Sequence, residues 1–171
     1  MTERDPHVLQ AGHHPTPFTA AEIRAASRRG RMVRRLIEIE GQPPEMRVQQ
    51  WIDVDEEGAT SLVATLAEDG STRDARRVRS TWLDLQRHAS MLIATTTIDE
   101  VTLDSPMGPL ECLRYTAKDG DAIETFWFAR AMPGMPVRTE RTEHGRVVER
   151  VTMVANELAP LQDDGSGPDA D

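Results

Sequence analysis

Residues 102–137 read TLDSPMGPLECLRYTAKDGDAIETFWFARAMPGMPV, and this stretch decides the fold. Apolar and polar side chains alternate along 110–115, and Phe126 and Phe128 share one face of a second run while Trp127 occupies the other. Lys118-Asp-Gly120 separates the two runs, and a glycine there tolerates the positive φ of a tight turn. The stretch therefore predicts two antiparallel strands joined by a hairpin.

The same two-residue period continues on both sides of this hairpin. Asp69-Gly70 is a further hairpin signal, and His144-Gly145 lies between two more alternating runs. The pattern predicts eight or nine strands joined mostly by short turns, the charged run 71–79 being the least regular. The remaining predicted strands lie near 33–39, 46–54, 61–66, 98–103, 137–143 and 147–155.

Two helix starts interrupt the alternation. Thr19 and Glu22 have the spacing of a capping box, which predicts a helix over 20–29 ended by Gly30. Thr81 and Asp84 have a similar spacing and predict a second helix over 82–89. We therefore expect an α+β fold, in which a curved, half-barrel-like antiparallel meander of eight or nine strands carries two helices packed on one face.

The motifs of residues 102–137 resemble the paired hairpins of half-barrel proteins related to bacterial lipoprotein carriers (LolA-like folds). These motifs are the turn at Ser105-Pro-Met-Gly108, the aromatic strand with Trp127, and the corner Met132-Pro-Gly-Met-Pro136. The resemblance implies an apolar concavity between the sheet and the helices, which the carriers use for acyl chains. No functional residue of that family can be matched here one for one, so the resemblance extends to the fold and the cavity.

The net charge of −9 is unevenly distributed over the 171 residues. Five acidic residues and no base lie at 157–171, so the rest of the chain is nearly balanced. We expect a flexible N-terminal arm at 1–17, at most loosely docked, one globular domain at 18–158, and a disordered acidic tail at 159–171. Charge balance and an aromatic content of 4% argue against a nucleic-acid partner.

Cysteine usage and the N-terminal residues bound the compartment. Cys112 is the only cysteine, so an internal disulfide cannot form. The first residues are acidic and polar where an export signal needs a basic segment followed by an apolar one. We expect a cytoplasmic protein with no membrane span, no metal site and no cofactor, since no phosphate loop, zinc motif or dinucleotide fingerprint occurs.

Large apolar side chains near the Pro-Gly corner are the candidate site. An aromatic side chain must sit on each face of the strand that carries Trp127, so one of the two faces needs a covering partner. We expect non-enzymatic binding of an apolar small molecule or lipid; the alternative is a homodimer formed through an apolar sheet face. The candidate ligand-binding residues are Trp127, Phe128, Tyr115, Met132, Met135 and Trp82.

Three other groups carry weaker functional hypotheses. Asp84 and His88 lie at i and i+4 and could form an acid-base pair, with Asp99 and Glu100 completing an enzyme site; an ordinary helix contact is the favoured interpretation. Cys112 alternates with apolar residues, which indicates core packing rather than a nucleophile. Arginine clusters at 28–35 and 73–79 could line a groove for an anion if their strands were neighbours, although a solvated face is the simpler interpretation.

Overall fold

The computed structural model describes residues 5–161, which form two helices and nine strands in a single antiparallel sheet. The expected α+β class and strand number are confirmed. The helices are α1 (Ala20–Ala26) and α2 (Trp82–Arg87). The strands are β1 (Arg31–Ile39), β2 (Glu45–Val54), β3 (Gly58–Leu66), β4 (Thr72–Thr81), β5 (Thr96–Ser105), β6 (Gly108–Asp119), β7 (Ala122–Ala129), β8 (Arg138–Glu143) and β9 (Arg146–Leu158).

The strand order is β4-β3-β2-β1-β9-β8-β7-β6-β5, so two meanders meet where β1 pairs with β9. Strands β4 and β5 form the two edges of the open sheet although they are consecutive in the chain. The segment between them, which includes α2, must therefore travel from one edge of the sheet to the other. This crossing is what places α2 beside α1 in a layer on one face of the sheet.

Both helices begin where the capping patterns predict and end earlier than expected. The Thr19 hydroxyl accepts from the Glu22 backbone N–H at 3.2 Å, and the Glu22 carboxylate accepts from the Thr19 N–H at 2.7 Å. α1 ends at Ala26, three residues before the predicted end, because Ser27 is already extended. The Gly30 N–H then donates to the Trp51 carbonyl at 2.7 Å, which ties the chain to the sheet as β1 begins.

The core lies between the helix layer and the sheet. Phe128 meets Tyr115 edge-to-face at 5.3 Å and Phe18 at 6.4 Å between ring centroids. Cys112 is 1% exposed in the same cluster, and desolvation by burial raises the pKa of its thiol. The cysteine is therefore a packing residue and a poor nucleophile.

The N-terminal segment 5–17 packs against the domain, more tightly than its composition predicts. The buried side chain of Gln86 in α2 donates to the Pro6 carbonyl and the Thr16 hydroxyl, each at 2.9 Å, and accepts from the Ala20 N–H. The Tyr115 hydroxyl donates to the Pro15 carbonyl at 2.8 Å. Each of these hydrogen bonds is made by a single polar side chain, and the donors follow no repeating pattern in the sequence. Hydrophobic periodicity therefore cannot predict that residues 5–17 pack against the domain.

The C-terminal part of the chain is described as far as residue 161. The Ala159 N–H donates to the Gly30 carbonyl, and the Gln50 side chain donates to the carbonyls of Ala159 and Pro160. Residues 159–161 are thus bonded to the sheet. The rest of the predicted acidic tail, 162–171, lies outside the described residues, and the domain limits stay a prediction.

Candidate functional site

A cavity of about 180 Å³ lies between the helix layer and the sheet. Its lining is mainly apolar, with a smaller set of polar side chains. The apolar lining residues are Ile23, Trp51, Ala59, Leu85, Phe126, Phe128, Met135 and Pro136. The polar ones are Ser27, Arg31, Gln49, Ser61, Ser80 and His88, and Gly134 completes the wall.

Strand periodicity and helix position together build the apolar walls. Phe126 and Phe128 are two residues apart on β7, so both rings face the helix layer, and they stack at 6.4 Å. Trp51 lies in the second half of β2 and is 5% exposed. Ile23 of α1 and Leu85 of α2 close the cavity from above. The cavity therefore exists only because the two helices lie across this end of the sheet.

Arg31 is the one charged side chain of this lining that is more than nine-tenths buried, at 6% exposure. Its guanidinium carbon lies 5.0 Å from the centroid of the Trp51 ring, a cation–π arrangement. Its Nε donates to the Asn156 side-chain oxygen at 3.0 Å, and Nη1 makes a long contact of 3.5 Å to the Ala26 carbonyl. Desolvation lowers the pKa of Arg31, which expresses the cost of burying its charge.

The predicted ligand-binding residues divide between the cavity and other places. Phe128 and Met135 line the cavity. Tyr115 is 2% exposed in the core, and Trp82 is 4% exposed with its indole N–H donating to the Asp55 carbonyl at 3.0 Å. Met132 lines a separate, more open hollow beside Asn156. Tyr115 and Trp82 therefore contribute to the packing of the core and not to the lining of the cavity.

Trp127 lies on the opposite face of the sheet from Phe128. The guanidinium carbon of Arg138, its partner on β8, lies 5.3 Å from the centroid of the Trp127 ring. Arg138 pairs with Glu140, and Arg150 donates to the same carboxylate at 2.9 Å. Charged side chains therefore lie beside the Trp127 ring on this face of the sheet.

Sequence reasoning missed several residues of the cavity. Ile23, Leu85 and Trp51 come from three distant segments, and each is an unremarkable apolar residue in its own helix or strand. In the sequence Arg31 is one of several arginines at 28–35, and nothing in the sequence indicates that its side chain is buried. The only local signal in the sequence is the position of Arg31 directly after Gly30, where the first predicted helix ends.

Of the side chains of the enzyme hypothesis, Asp84 and His88 are electrostatic neighbours at α2, whereas Asp99 and Glu100 lie on β5. Asp84 pairs with Arg87 at 3.1 Å, and hydrogen bonding from the Thr81 side chain and Arg87 lowers the pKa of Asp84. Asp99 and Glu100 each pair with an arginine of the sheet, Arg114 and Arg130. His88 lines the cavity by itself. Within residues 5–161 no cluster of three or more His, Cys, Asp or Glu side chains is arranged to bind a metal ion.

The two arginine clusters do not form one groove. Their strands, β1 and β4, are separated by β2 and β3. Arg34 pairs with Glu157 at 3.2 Å and Arg79 with Asp55 at 2.7 Å. The two clusters therefore cannot line one shared anion groove. Arg31 differs from the other arginines of its cluster because it is 6% exposed.

These features define a class of protein: an open antiparallel sheet with helices on one face and an apolar cavity between the two layers. Among solved structures, MucB is similar in fold, with a TM-score of 0.57 and 12% sequence identity over 84% of this chain and 58% of MucB. The expected LolA-like resemblance therefore holds, at the level of a distant LolA- and MucB-like fold. The chain spans a little over half of the length of MucB.

Other comparisons add little. The hypothetical protein CT021 from Chlamydia trachomatis matches with a TM-score of 0.40 and 8% identity over 86% of this chain and 98% of CT021, too weak a likeness for any argument. No protein-family model matches the sequence, and no curated protein is similar to it. Neither helix in the described part of the chain is long and apolar enough to cross a membrane.

Proposed function

We propose that the protein is a non-enzymatic binding protein, which holds an apolar small molecule or part of a lipid in the cavity between the helices and the sheet. The observation that carries the proposal is the lining, in which Trp51, Phe126 and Phe128 face one space with aliphatic side chains from both helices. An apolar pocket with a few polar groups is the usual form of a small-molecule site. The similarity in fold to MucB is compatible with a binding role but does not identify a ligand.

The cavity volume limits what can bind. Small-molecule sites usually measure about 300–1,000 Å³, whereas a dry cavity of about 150 Å³ takes a molecule the size of benzene. At about 180 Å³ this cavity holds one small apolar body or one segment of a chain. A longer ligand leaves the rest of its chain outside, unless α1 and α2 move away from the sheet.

The test fills the cavity from its floor. Ala59 is 3% exposed and lines the cavity, whereas Ala122 of β7 is 5% exposed and lies away from it. We expect Ala59→Leu to weaken binding of the neutral one-ring probe toluene by about tenfold, which is the loss of roughly 1.4 kcal/mol of binding free energy. Ala122→Leu adds the same side chain elsewhere and should leave the affinity unchanged. Titration calorimetry measures both.

Two results would overturn the proposal: no binding of the probe to the natural sequence, or equal affinity in the two leucine variants. Because added volume strains a packed core, the unfolding midpoint of each variant is measured first. If Ala59→Leu does not fold, Met135→Ala takes its place. It removes an apolar contact from the half-buried wall of the cavity and should weaken the probe several-fold.

The homodimer and the cytoplasmic location stay predictions. Sedimentation at micromolar concentration tests the homodimer, and a monomer would contradict it. We propose the cytoplasmic location from the sequence alone, and fractionation of the native host tests it.

A further inference from the structure

The guanidinium of Arg31 has no acidic partner among residues 5–161. Both of its side-chain hydrogen bonds go to neutral oxygens, those of Asn156 and Ala26. Glu157 lines the neighbouring hollow with Arg31 but pairs with Arg34 at 3.2 Å. Burying a cation costs several kcal/mol unless a counter-charge offsets the lost hydration. The apolar cavity thus contains an uncompensated positive charge.

The chain leaves room on the cavity side of this charge. Trp51 packs against one face of the guanidinium, which holds the plane in place. Gly134 lies at its edge, and a Cβ built at that position would be 3.6 Å from Nη1 and 4.0 Å from Nη2. With a φ of +134° the backbone there suits glycine, so the space beside the two nitrogens stays free of a side chain.

We infer that the cavity binds an amphiphile with an apolar chain and a carboxylate head, and that the carboxylate pairs with Arg31. This inference rests on the proposed function. A carboxylate presents two oxygens in the plane of a guanidinium and accepts two parallel hydrogen bonds, which an alcohol or an amine cannot do. The apolar chain then lies against Phe126 and Phe128, across the cavity from the charge.

Three eight-carbon probes that differ only in the head group test the inference: octanoate, octanol and octylammonium, titrated by calorimetry at pH 7. We expect octanoate to bind the natural sequence at least tenfold more tightly than octanol, and octylammonium to bind most weakly. Arg31→Met should abolish the preference by weakening octanoate at least tenfold, while octanol changes by less than threefold. Arg31→Lys keeps the charge without the planar fork. Its preference for octanoate over octanol should therefore lie between that of the natural sequence and that of Arg31→Met.

Arg35→Met is the matched control. Arg35 lies four residues further along β1, is also partly buried with a lowered pKa caused first by desolvation, and is absent from the cavity lining. This variant should leave the affinity of all three probes unchanged. If Arg31→Met does not fold, the preference of the natural sequence together with Arg31→Lys still decides the matter.

The outcomes separate the two proposals. Equal affinity for octanoate and octanol, or an equal loss of both in Arg31→Met, would refute the carboxylate inference and leave the apolar binding function intact. If none of the three eight-carbon probes binds and toluene does not bind either, both proposals fail. If only toluene binds, the apolar function stands and the carboxylate inference is wrong.

Discussion

The helix-bearing face of the sheet has two ends that differ in chemistry although the same strands run through both. At the covered end, beneath α1 and α2, the sheet presents Trp51 and Phe128. At the open end, beyond the helices, β7 presents Glu124 and β8 presents Arg141, which pair at 2.9 Å. Within four residues β7 therefore changes from a charged to a buried aromatic side chain on one face. The helix layer, rather than the strand pattern, determines which positions are dry.

The largest expected effect tests whether stability resides at the covered end. Phe128→Ala removes a 3%-exposed ring that contacts Tyr115 and Phe18, and should lower the free energy of unfolding by about 3–5 kcal/mol. Glu149→Ala, at an exposed position opposite Arg141 at the open end, should change it by no more than about 0.5 kcal/mol. Urea unfolding measures both. Similar losses would show that the open end is as firmly packed as the covered one.

A second effect concerns pH at the covered end. Burial raises the pKa of Tyr115 to about 12, above its ordinary value near 10. The folded protein therefore keeps a proton that the unfolded chain releases, and stability should fall as pH rises from about 10 to 12, by at most about 1.4 kcal/mol per pH unit. Tyr115 is the only tyrosine, so tyrosinate absorbance near 295 nm reports its titration directly. An ordinary pKa in the folded protein would contradict the burial of the hydroxyl beneath residues 5–17.

The smallest expected effect is at the open end. Glu124→Gln removes the charge that pairs with Arg141, but both side chains are roughly 40% exposed and Arg141 keeps Glu143 as a partner. The unfolding midpoint should fall by no more than about 2 °C, and 1 M salt should shrink the difference because salt screens exposed charges. A larger fall in the unfolding midpoint that salt does not reduce would mean that the open end excludes water as well as the covered end does.

Much of the fold was predictable because its signals are local. Thr19 and Glu22 marked the start of α1, and His144-Gly145 marked the final hairpin, where both residues have positive φ values of 49° and 76°. The alternation around Phe126 and Phe128 correctly put both rings on one face. Such signals need only neighbouring residues, since a cap or a tight turn forms within four positions of the chain.

The candidate site was predictable only in part. Phe128 and Met135 line the cavity, whereas Met132 lines another hollow, Trp82 and Tyr115 are core residues and Trp127 lies on the other face. Composition indicates that a side chain prefers burial but does not indicate against which element it is buried. An aromatic residue in the core and one lining a cavity look identical in the sequence.

The sequence by itself determined the strands, the helix starts and the near-neutral charge of the central domain, because short-range sterics, capping and periodicity control them. The tertiary structure alone decided the pairing of β1 with β9, the crossing of α2 between the sheet edges, and the cavity between the layers. It also decided that Arg31, one arginine among several, is buried without an acidic partner among the described residues. Burial and charge compensation depend on segments far apart in the chain, so they exist only once those segments meet.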